Sequence, residues 1–454
     1  MKFQAYPSYK ASGIEWLGDV PKHWETKKVT YGFSRIGSGT TPKSDSEDFY
    51  DGDIPWVTTS ELRENIITNT KVNVTRSAIA AYSSLRLYPS GTLLFAMYGA
   101  TIGRLGILGI PATLNQACCA FSDPTLFDTR FVFYWLLMRR PILISLSTGG
   151  GQPNLSQDDL RQIRISIPPP SEQIAIASFL DQETSRTDQL IHKKKELIER
   201  LKEKRSTLIS RTVTRGLPPA AARAAGLPEN SSLKDSGIEW LGEIPEHWDA
   251  KKLGYGAYLQ GGYAYASEKF DSEGVPVVRM NNLKRGVLDT SYASCIAPEN
   301  CLDDFALTEG DLLWGMSGSI GETGSLGNFA LVKKCDLPAQ LNQRVGRFRI
   351  IDKSIKLCFL HYVIQTRLFY DQVLLCVTGT AQFNVSSEQV QSVKITFPPP
   401  CEQTAIAAYL DQETAKLDAL ISKVEEAIER LQEYRTALIT AAVTGKIDLR
   451  KSAV

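Results

Sequence analysis

Two stretches of this 454-residue chain occur twice, which restricts it to a fold made of two like halves. SGIEWLGDVPKHWETKK at residues 12–28 matches SGIEWLGEIPEHWDAKK at 236–252 at 12 of 17 positions, with an offset of 224. PPPSEQIAIASFLDQET at 168–184 matches PPPCEQTAIAAYLDQET at 398–414 at 13 of 17, with an offset of 230. Between these anchors the likeness thins to islands: GDIPWVTTSEL against EGVPVVRMNNL, GTLLF against GDLLW, and LNQA against LNQR. The chain reads as a tandem duplication whose ends stayed alike while its middles diverged.

Each half then has a variable head followed by a segment of different character. In the heads, short β-type runs such as IPWVTT, GTLLFAMYG, VPVVRM and VKITFP alternate with Gly, Pro, Asn and Asp turns, and RFVFYWLLMRR and KLCFLHYVIQTRLF are helical candidates. A mixed α and β head with a strongly curved sheet is expected. The segments after each Pro-Pro-Pro lack proline and glycine for over 40 residues and are rich in Ala, Leu, Ile, Glu, Lys and Gln. In the second, Leu410, Thr414, Leu417, Ile421, Val424, Ile428, Leu431, Arg435 and Leu438 step alternately by four and three, a coiled-coil seam. The first repeats that frame from Leu180, Thr184 and Thr187 through Ile191, Lys194, Ile198 and Leu201 to Arg205 and Leu208.

A long helix with so narrow an apolar stripe cannot bury it alone, and each has a partner in the other. Residues 171–216 hold 10 basic and 7 acidic side chains, and 401–446 hold 5 and 8, so +3 faces −3. The first helix leads through a Pro/Ala-rich linker, RGLPPAAARAAGLPENSS, into the second head, so pairing requires the second helix to run back, antiparallel. About 40 residues at ~1.5 Å rise make a spacer of roughly 60 Å. The expected class is α+β: two similar mixed heads separated by an antiparallel two-helix coiled coil, with an approximate two-fold. The expected boundaries are 1–167 and 236–397 for the heads, 168–216 and 398–447 for the spacer helices, 217–235 for the linker and 448–454 for a tail.

Composition narrows the function classes. With 43% hydrophobic residues and a net charge of +1, the chain belongs with ordinary globular proteins and carries no global basic signal. No run nears the ~18 to 20 apolar residues of a membrane helix, and the N-terminus lacks a signal-peptide apolar region, so a cytoplasmic location without membrane contact is expected. Eight cysteines without a C-x-x-C pair read as reduced core thiols, and four histidines make a His-rich metal centre unexpected. No N-P-P-[FY] or D-P-P-Y motif, Gly-rich methionine-cofactor motif or phosphate-cradling loop is present; residues 45–53 read as a solvated acidic loop. Recognition without catalysis is the expectation.

Two related but diverged heads at a fixed separation suit a ligand with two spaced sites, as duplex DNA offers. Because the heads differ, the half-sites should differ, giving an asymmetric bipartite target with an unread gap. A coiled-coil adaptor bridging two protein partners fits the same shape, and a self-sufficient DNA enzyme is a third reading. The paired G-I-E-W-L-G-x-x-P-x-H-W motifs, GSGTTP at 37–42 and the PPP-x-EQ-x-AI-x-x-x-LDQET segments resemble the specificity subunit of type I restriction-modification systems, over essentially the whole chain. That resemblance implies that the heads are target recognition domains and that the rod sets their separation. It also implies partners: two copies of a methyltransferase subunit using S-adenosylmethionine on adenine, and an ATP-driven restriction subunit requiring Mg. No cofactor is expected on this chain itself. LQGGYAYA from Leu259 stands in place of GSGTTP, so the first head's loop transfers better than the second's.

The candidate readers are the polar, glycine-rich islands, because Arg suits guanine and Asn or Gln suits adenine. In head one they are Ser38, Thr40, Thr41, Lys43, Thr58, Thr59, Ser60, Gly150, Gln152 and Asn154. In head two they are Tyr263, Arg279, Asn281, Asn282, Lys284, Arg285, Ser317, Thr380, Gln382 and Asn384. TGGGQPNLS aligns with TGTAQFNVS, so its Gln and Asn serve either contact or turn structure; Ser317 and Ser319 with Met316, beside Met97, Tyr98 and Thr101, rank lower. Lys27, Lys28, Lys251 and Lys252 are either a solvated face or phosphate contacts. His23-Trp24 and His247-Trp248 read as scaffold anchors rather than base contacts. Glu172, Gln173, Glu402 and Gln403 suit helix N-termini or a repeated partner surface, and Arg205 and Arg435 suit register devices or partner docking. Lengthening both helices by one heptad is expected to move the heads by about 10 Å and widen the preferred gap by about three base pairs. An unchanged gap in a methylation or footprinting assay sinks the ruler idea.

Overall fold

The computed structural model describes residues 3–145, 154–228, 232–321, 324–379 and 382–450. It divides into two units, residues 1–194 with 425–454, and residues 195–424. Each unit joins one head to the beginning of its own long helix and the end of the other.

The long helices span Pro170–Arg215 and Pro400–Val443. The last proline of each triplet occupies the first helical position, where a missing N–H costs nothing. Gly216 and Gly445 take positive φ of 82° and 70° and end the helices; Lys446 N–H donates to the Ala441 carbonyl at 2.8 Å, closing the second one. Gly445 also has to be small, because a Cβ there would lie 2.4 Å from the Pro21 ring.

Head one has a five-stranded sheet ordered Phe33–Ser38, Cys118–Pro124, Leu93–Ala96, Leu105–Leu108, Asn65–Ile67, and a three-stranded sheet centred on Tyr50–Val57. Head two repeats the plan with Ala257–Gly261, Val345–Ile350, Leu312–Gly315 and Phe329–Leu331, and a small sheet centred on Val275–Val278. The first helical candidate forms Thr129–Ser145. Its counterpart is broken into Leu357–Val363 and Arg367–Leu374, because Thr366 caps a new start by accepting the Phe369 N–H at 3.2 Å.

Unit one's core gathers Trp24, Phe33, Phe121, Phe131 and Trp135 from the head, Ile176 and Leu180 from the first long helix, and Leu438, Ile439 and Val443 from the end of the second. Unit two repeats this with Trp248, Trp314 and Phe359, then Ile406 and Leu410, then Ile209 and Val213. Burial of large apolar side chains at about 1.5–3 kcal/mol each makes this three-way junction a large stabilising contribution in each unit. Within each unit the helix halves run antiparallel, and each seam arginine meets an aspartate: Arg435 Nε lies 3.0 Å from Asp188 Oδ1, and Arg205 Nε 3.0 Å from Asp418 Oδ1.

Three expectations change. Cys118, Cys119 and Cys295 are buried, with burial pushing Cys119 up to about 12, but Cys335, Cys358 and Cys401 are exposed and so are not core thiols. The segment expected as a tail contributes a fully buried Leu449, because the turn after Gly445 folds it onto unit one's core. Part of the expected linker belongs to unit two's core: Leu217 and Ala222 are buried there, and Pro219–Ala224 is helical.

The Arg–Asp pairs stand at half-exposed positions, where such pairs contribute little. A double-mutant cycle on Arg205 and Asp418, read by chemical denaturation, is expected to give a coupling of about 0.2–1 kcal/mol. A coupling well above that range would place the pair in a far drier setting than its geometry indicates.

Candidate nucleic-acid interface

The repeated motifs at the ends of each half are consumed by one construction. Glu172, 5% exposed, accepts hydrogen bonds from Trp24 Nε1 at 3.0 Å and from the Tyr6 hydroxyl, with His23 Nε2 at 2.8 Å from its other oxygen. Burial, then the Glu172 carboxylate, pushes the Tyr6 phenol well up, so it stays protonated as a donor. Glu402 repeats the arrangement with Trp248 Nε1 at 2.8 Å and His247 Nε2 at 2.6 Å. Gln173 accepts from the Asp128 N–H and donates to the Leu126 and Pro168 carbonyls; Gln403 does the same with Lys356, Ser354 and Pro398. Every polar atom of these glutamines is used, so Glu172, Gln173, Glu402 and Gln403 pin helix to head and are withdrawn as partner contacts. LDQET has the same logic: Asp181 Oδ1 accepts from the Tyr134 hydroxyl at 2.8 Å, and Asp411 accepts from Tyr362.

The diverged islands meet elsewhere, on one rim in each head. In head one the Thr40 N–H donates to the Leu114 carbonyl at 3.0 Å, the Asn115 N–H to Val57 at 3.0 Å, the Met97 N–H to Ala117 at 2.8 Å and the Leu155 N–H to Met97 at 2.8 Å. In head two Tyr263 donates to Leu341 at 3.0 Å, Asn342 to Val278 at 3.1 Å, Met316 to Arg344 at 3.0 Å and Val385 to Met316 at 3.0 Å. One backbone frame thus carries the loops at 38–43, 58–60, 114–117 and 97–98 with Asn154, and in head two those at 261–263, 279–282, 341–344 and 316–317 with Asn384.

LQGGYAYA occupies the place of GSGTTP in this backbone frame as well. Gly39 and Gly262 take equivalent places, since a Cβ on Gly39 would lie 1.6 Å from the Leu114 carbonyl oxygen and one on Gly262 2.4 Å from that of Asn342. Glycine is required for the close backbone approach in both heads, while the next residue is Thr40 in one and Tyr263, 45% exposed, in the other.

Within the rims, Lys43, Thr41, Ser60, Asn154, Asn281 and Gln382 are exposed; Ser38, Thr40, Thr58, Thr59, Arg279 and Asn384 are half-buried. Arg279 donates to Ser294 Oγ and stacks 5.1 Å from the Phe270 ring centre, which holds its guanidinium in place. Asn282 and Ser317, each 2% exposed, are structural: Asn282 caps the Arg279 N–H at 2.9 Å and donates to Asp289, leaving no edge for a base. Lys284 and Arg285 are exposed, and the Lys284 ammonium holds the Asp289 carboxyl down to about 2. Gly150, Gln152 and Thr380 lie outside the described residues. Lys27, Lys28, Lys251 and Lys252 sit in the strand pairs Glu25–Lys28 with Arg164–Ile167 and Asp249–Lys252 with Lys394–Phe397, which lead into the long helices rather than into the rims.

Sequence reasoning passed over the LNQ islands as readers. The structure places Asn115, Gln116, Gln343 and the exposed Arg344 in the middle of the rims, and Asn115 Oδ1 is buried with no hydrogen-bond partner. Their signal was present: an Asn-Gln pair after a leucine, kept inside the most diverged part of the repeat. Among the described residues no group of His, Cys, Asp or Glu is placed to hold a metal ion, and no helix is long and apolar enough to cross a membrane.

A duplicated head whose constant frame presents varied polar side chains, joined to a helix from each half, defines a two-headed recognition protein. Comparison with known proteins gives its family. Residues 21–200 and 245–430 match the type I restriction modification DNA specificity domain, so the chain belongs to that family and is a DNA target-recognition subunit. It is 26% identical over 435 residues to the type I restriction enzyme MjaVIII specificity subunit of Methanocaldococcus jannaschii, covering 95% of this chain and 94% of the relative. The MjaIX specificity subunit of the same organism is 25% identical, with 98% of both covered. Among solved structures, a chain from the assembling type I restriction-modification system superposes with TM-score 0.68 at 16% identity, covering 93% of this chain and 98% of that one. The HsdS subunit of Thermoanaerobacter tengcongensis superposes at 0.52, also at 16% identity, covering 94% and 98%. At such identity these two likenesses speak for the fold.

Removing the buried acceptor should expose how far the junction carries the fold. Glu402→Ala, which strands the Trp248 indole N–H and the His247 ring, is expected to destabilise the protein by about 1–3 kcal/mol in chemical denaturation. Glu402→Gln, which keeps an acceptor, should lose less; equal losses would mean that the hydrogen bond is not what holds the helix.

Proposed function

We propose that this chain reads an asymmetric bipartite sequence in duplex DNA, one half-site per head, and delivers it to partner subunits that carry out the chemistry. Two copies of a methyltransferase subunit would modify adenine with S-adenosylmethionine, and restriction subunits using ATP and Mg would join them in the cytoplasm. The specificity chain itself contributes recognition rather than catalysis.

One observation supports the reading above others. The two rims share a hydrogen-bond frame but present different side chains at matched places: Thr40 against Tyr263, Thr58 against Arg279, and buried Ala117 against exposed Arg344. A common frame lets each head meet the duplex backbone in the same way, and different side chains at its edge read different bases. Arg279 and Arg344 favour guanine in the second half-site, whereas the first rim is richer in hydroxyls and amides.

The deciding experiment maps methylated adenines genome-wide in cells with and without this chain. Methylation at a single bipartite asymmetric motif that disappears without the chain is the expected result; a motif that persists unchanged overturns the assignment. Arg279→Ala is expected to relax the second half-site alone, by about 1–3 kcal/mol of discrimination, and to leave the first half-site intact.

A further inference from the structure

In a duplicated chain whose two heads read different DNA, an exposed feature kept identical in both halves serves something that is the same for both. Most of the repeated opening motif is accounted for within the fold. Ser12 and Ser236 accept from the Ile14 and Ile238 N–H at 3.0 and 3.2 Å, Val20 and Ile244 are buried, and the His-Trp pairs hold the long-helix glutamates. The Glu-Trp dipeptide is accounted for less fully: the Trp16 ring packs edge-on against Trp135 with centres 5.9 Å apart, yet keeps much of its surface open. Glu15 and Glu239 are exposed and enter no ion pair among the described residues, and Trp16 and Trp240 remain 41% and 39% exposed.

Both dipeptides ride on the same rigid turn. The Leu17 N–H donates to the Ile14 carbonyl and the Leu241 N–H to Ile238, both at 3.0 Å. Glycines frame each turn with nearly equal positive φ: Gly13 at 72° and Gly18 at 65°, Gly237 at 69° and Gly242 at 66°. The chain thus presents the same acidic-aromatic knuckle once in each unit.

Its chemistry selects the partner. A carboxylate beside the ring repels phosphate, so the knuckle does not suit the DNA backbone. An exposed indole beside a free carboxylate suits an arginine or lysine with its aliphatic stem laid on the ring. Unit one demonstrates that pull on its own side chain: the Arg139 guanidinium lies 3.5 Å from the Trp16 ring centre, and the ring is still part exposed. A hollow of about 390 Å³ adjoins Trp16, whereas the one beside Trp240 is only about 20 Å³, so the knuckle rather than the hollow is what the halves share.

We infer that Glu15-Trp16 and Glu239-Trp240 are twin docking points for a basic, apolar-stemmed segment of one protein partner that binds in two copies, one per unit. Under the function proposed above, that partner is the methyltransferase subunit, and the inference rests on that reading.

The test measures how many methyltransferase subunits of its own cell the full-length chain holds, and how tightly, by native mass spectrometry and titration. Wild type is expected to bind two copies. Glu15→Lys, at an exposed position and so without cost to folding, should weaken one copy, and Glu15→Lys with Glu239→Lys should weaken both. Trp16→Ser and Trp240→Ser should each lower the affinity of one copy about tenfold or more. If wild type binds two copies and the double charge reversal binds two with unchanged affinity, the docking points are overturned while the proposed function stands. If wild type binds none, the methyltransferase reading fails and this inference falls with it.

Discussion

A carboxylate taken out of water in the first turn of each long helix is the constraint on which the rest depends. Buried charge is costly unless hydrogen bonds replace the lost water. Glu172 and Glu402 find those bonds in an indole N–H and an imidazole supplied by the opening of their own half, about 150 residues earlier in sequence. The favourable field of the helix N-terminus adds to the effect. Strand, helix start and opening turn are therefore locked together before the diverged part of the head is considered.

That lock explains the pattern of divergence. The sheet interiors repeat as a pattern rather than as identities, because a core tolerates exchange of apolar side chains of similar volume. Trp314 backs head two where Phe95 backs head one, and Arg347 is fully buried in head two, satisfied by Asp311 at 2.9 Å and by carbonyls of Ala306 and Asp304. The rim is freer still, because its geometry is carried by backbone hydrogen bonds and by glycines at 39 and 262. Side chains there can change without disturbing the frame, which is the property a reader of variable sequence needs.

Several roles were legible from residue type and spacing. The His-Trp pairs are the scaffold anchors that their repetition marks; the seam arginines, read as register devices or docking points, meet aspartates, and in the stretch read as either contact or turn the Thr378 and Asn384 backbones exchange hydrogen bonds. Others were not. Glu172 and Gln173 read as helix N-terminal residues or as a repeated partner surface, because glutamate and glutamine are usually exposed, and only the approach of distant groups shows them to be interior. Asn282 read as a base contact until its amide was seen to cap the turn. That LQGGYAYA stands in place of GSGTTP was legible, but not why glycine is kept at 39 and 262: the shared feature is a backbone approach too close for any Cβ.

The sequence by itself determined the duplication, the two long helices, their stripe, the antiparallel sense required by connectivity, and the membership that the repeated motifs announce. Those properties are local or periodic, and spacing along a chain records them directly. Tertiary structure alone decided which polar residues are consumed by the fold and which are left for a ligand. It brought 40, 57, 97, 114 and 154 onto one rim, turned Leu449 inward, and left Glu15-Trp16 and Glu239-Trp240 outside. The reason is physical: whether a side chain is available depends on hydrogen-bond partners and neighbours from distant segments, and no spacing along the chain encodes how those segments meet.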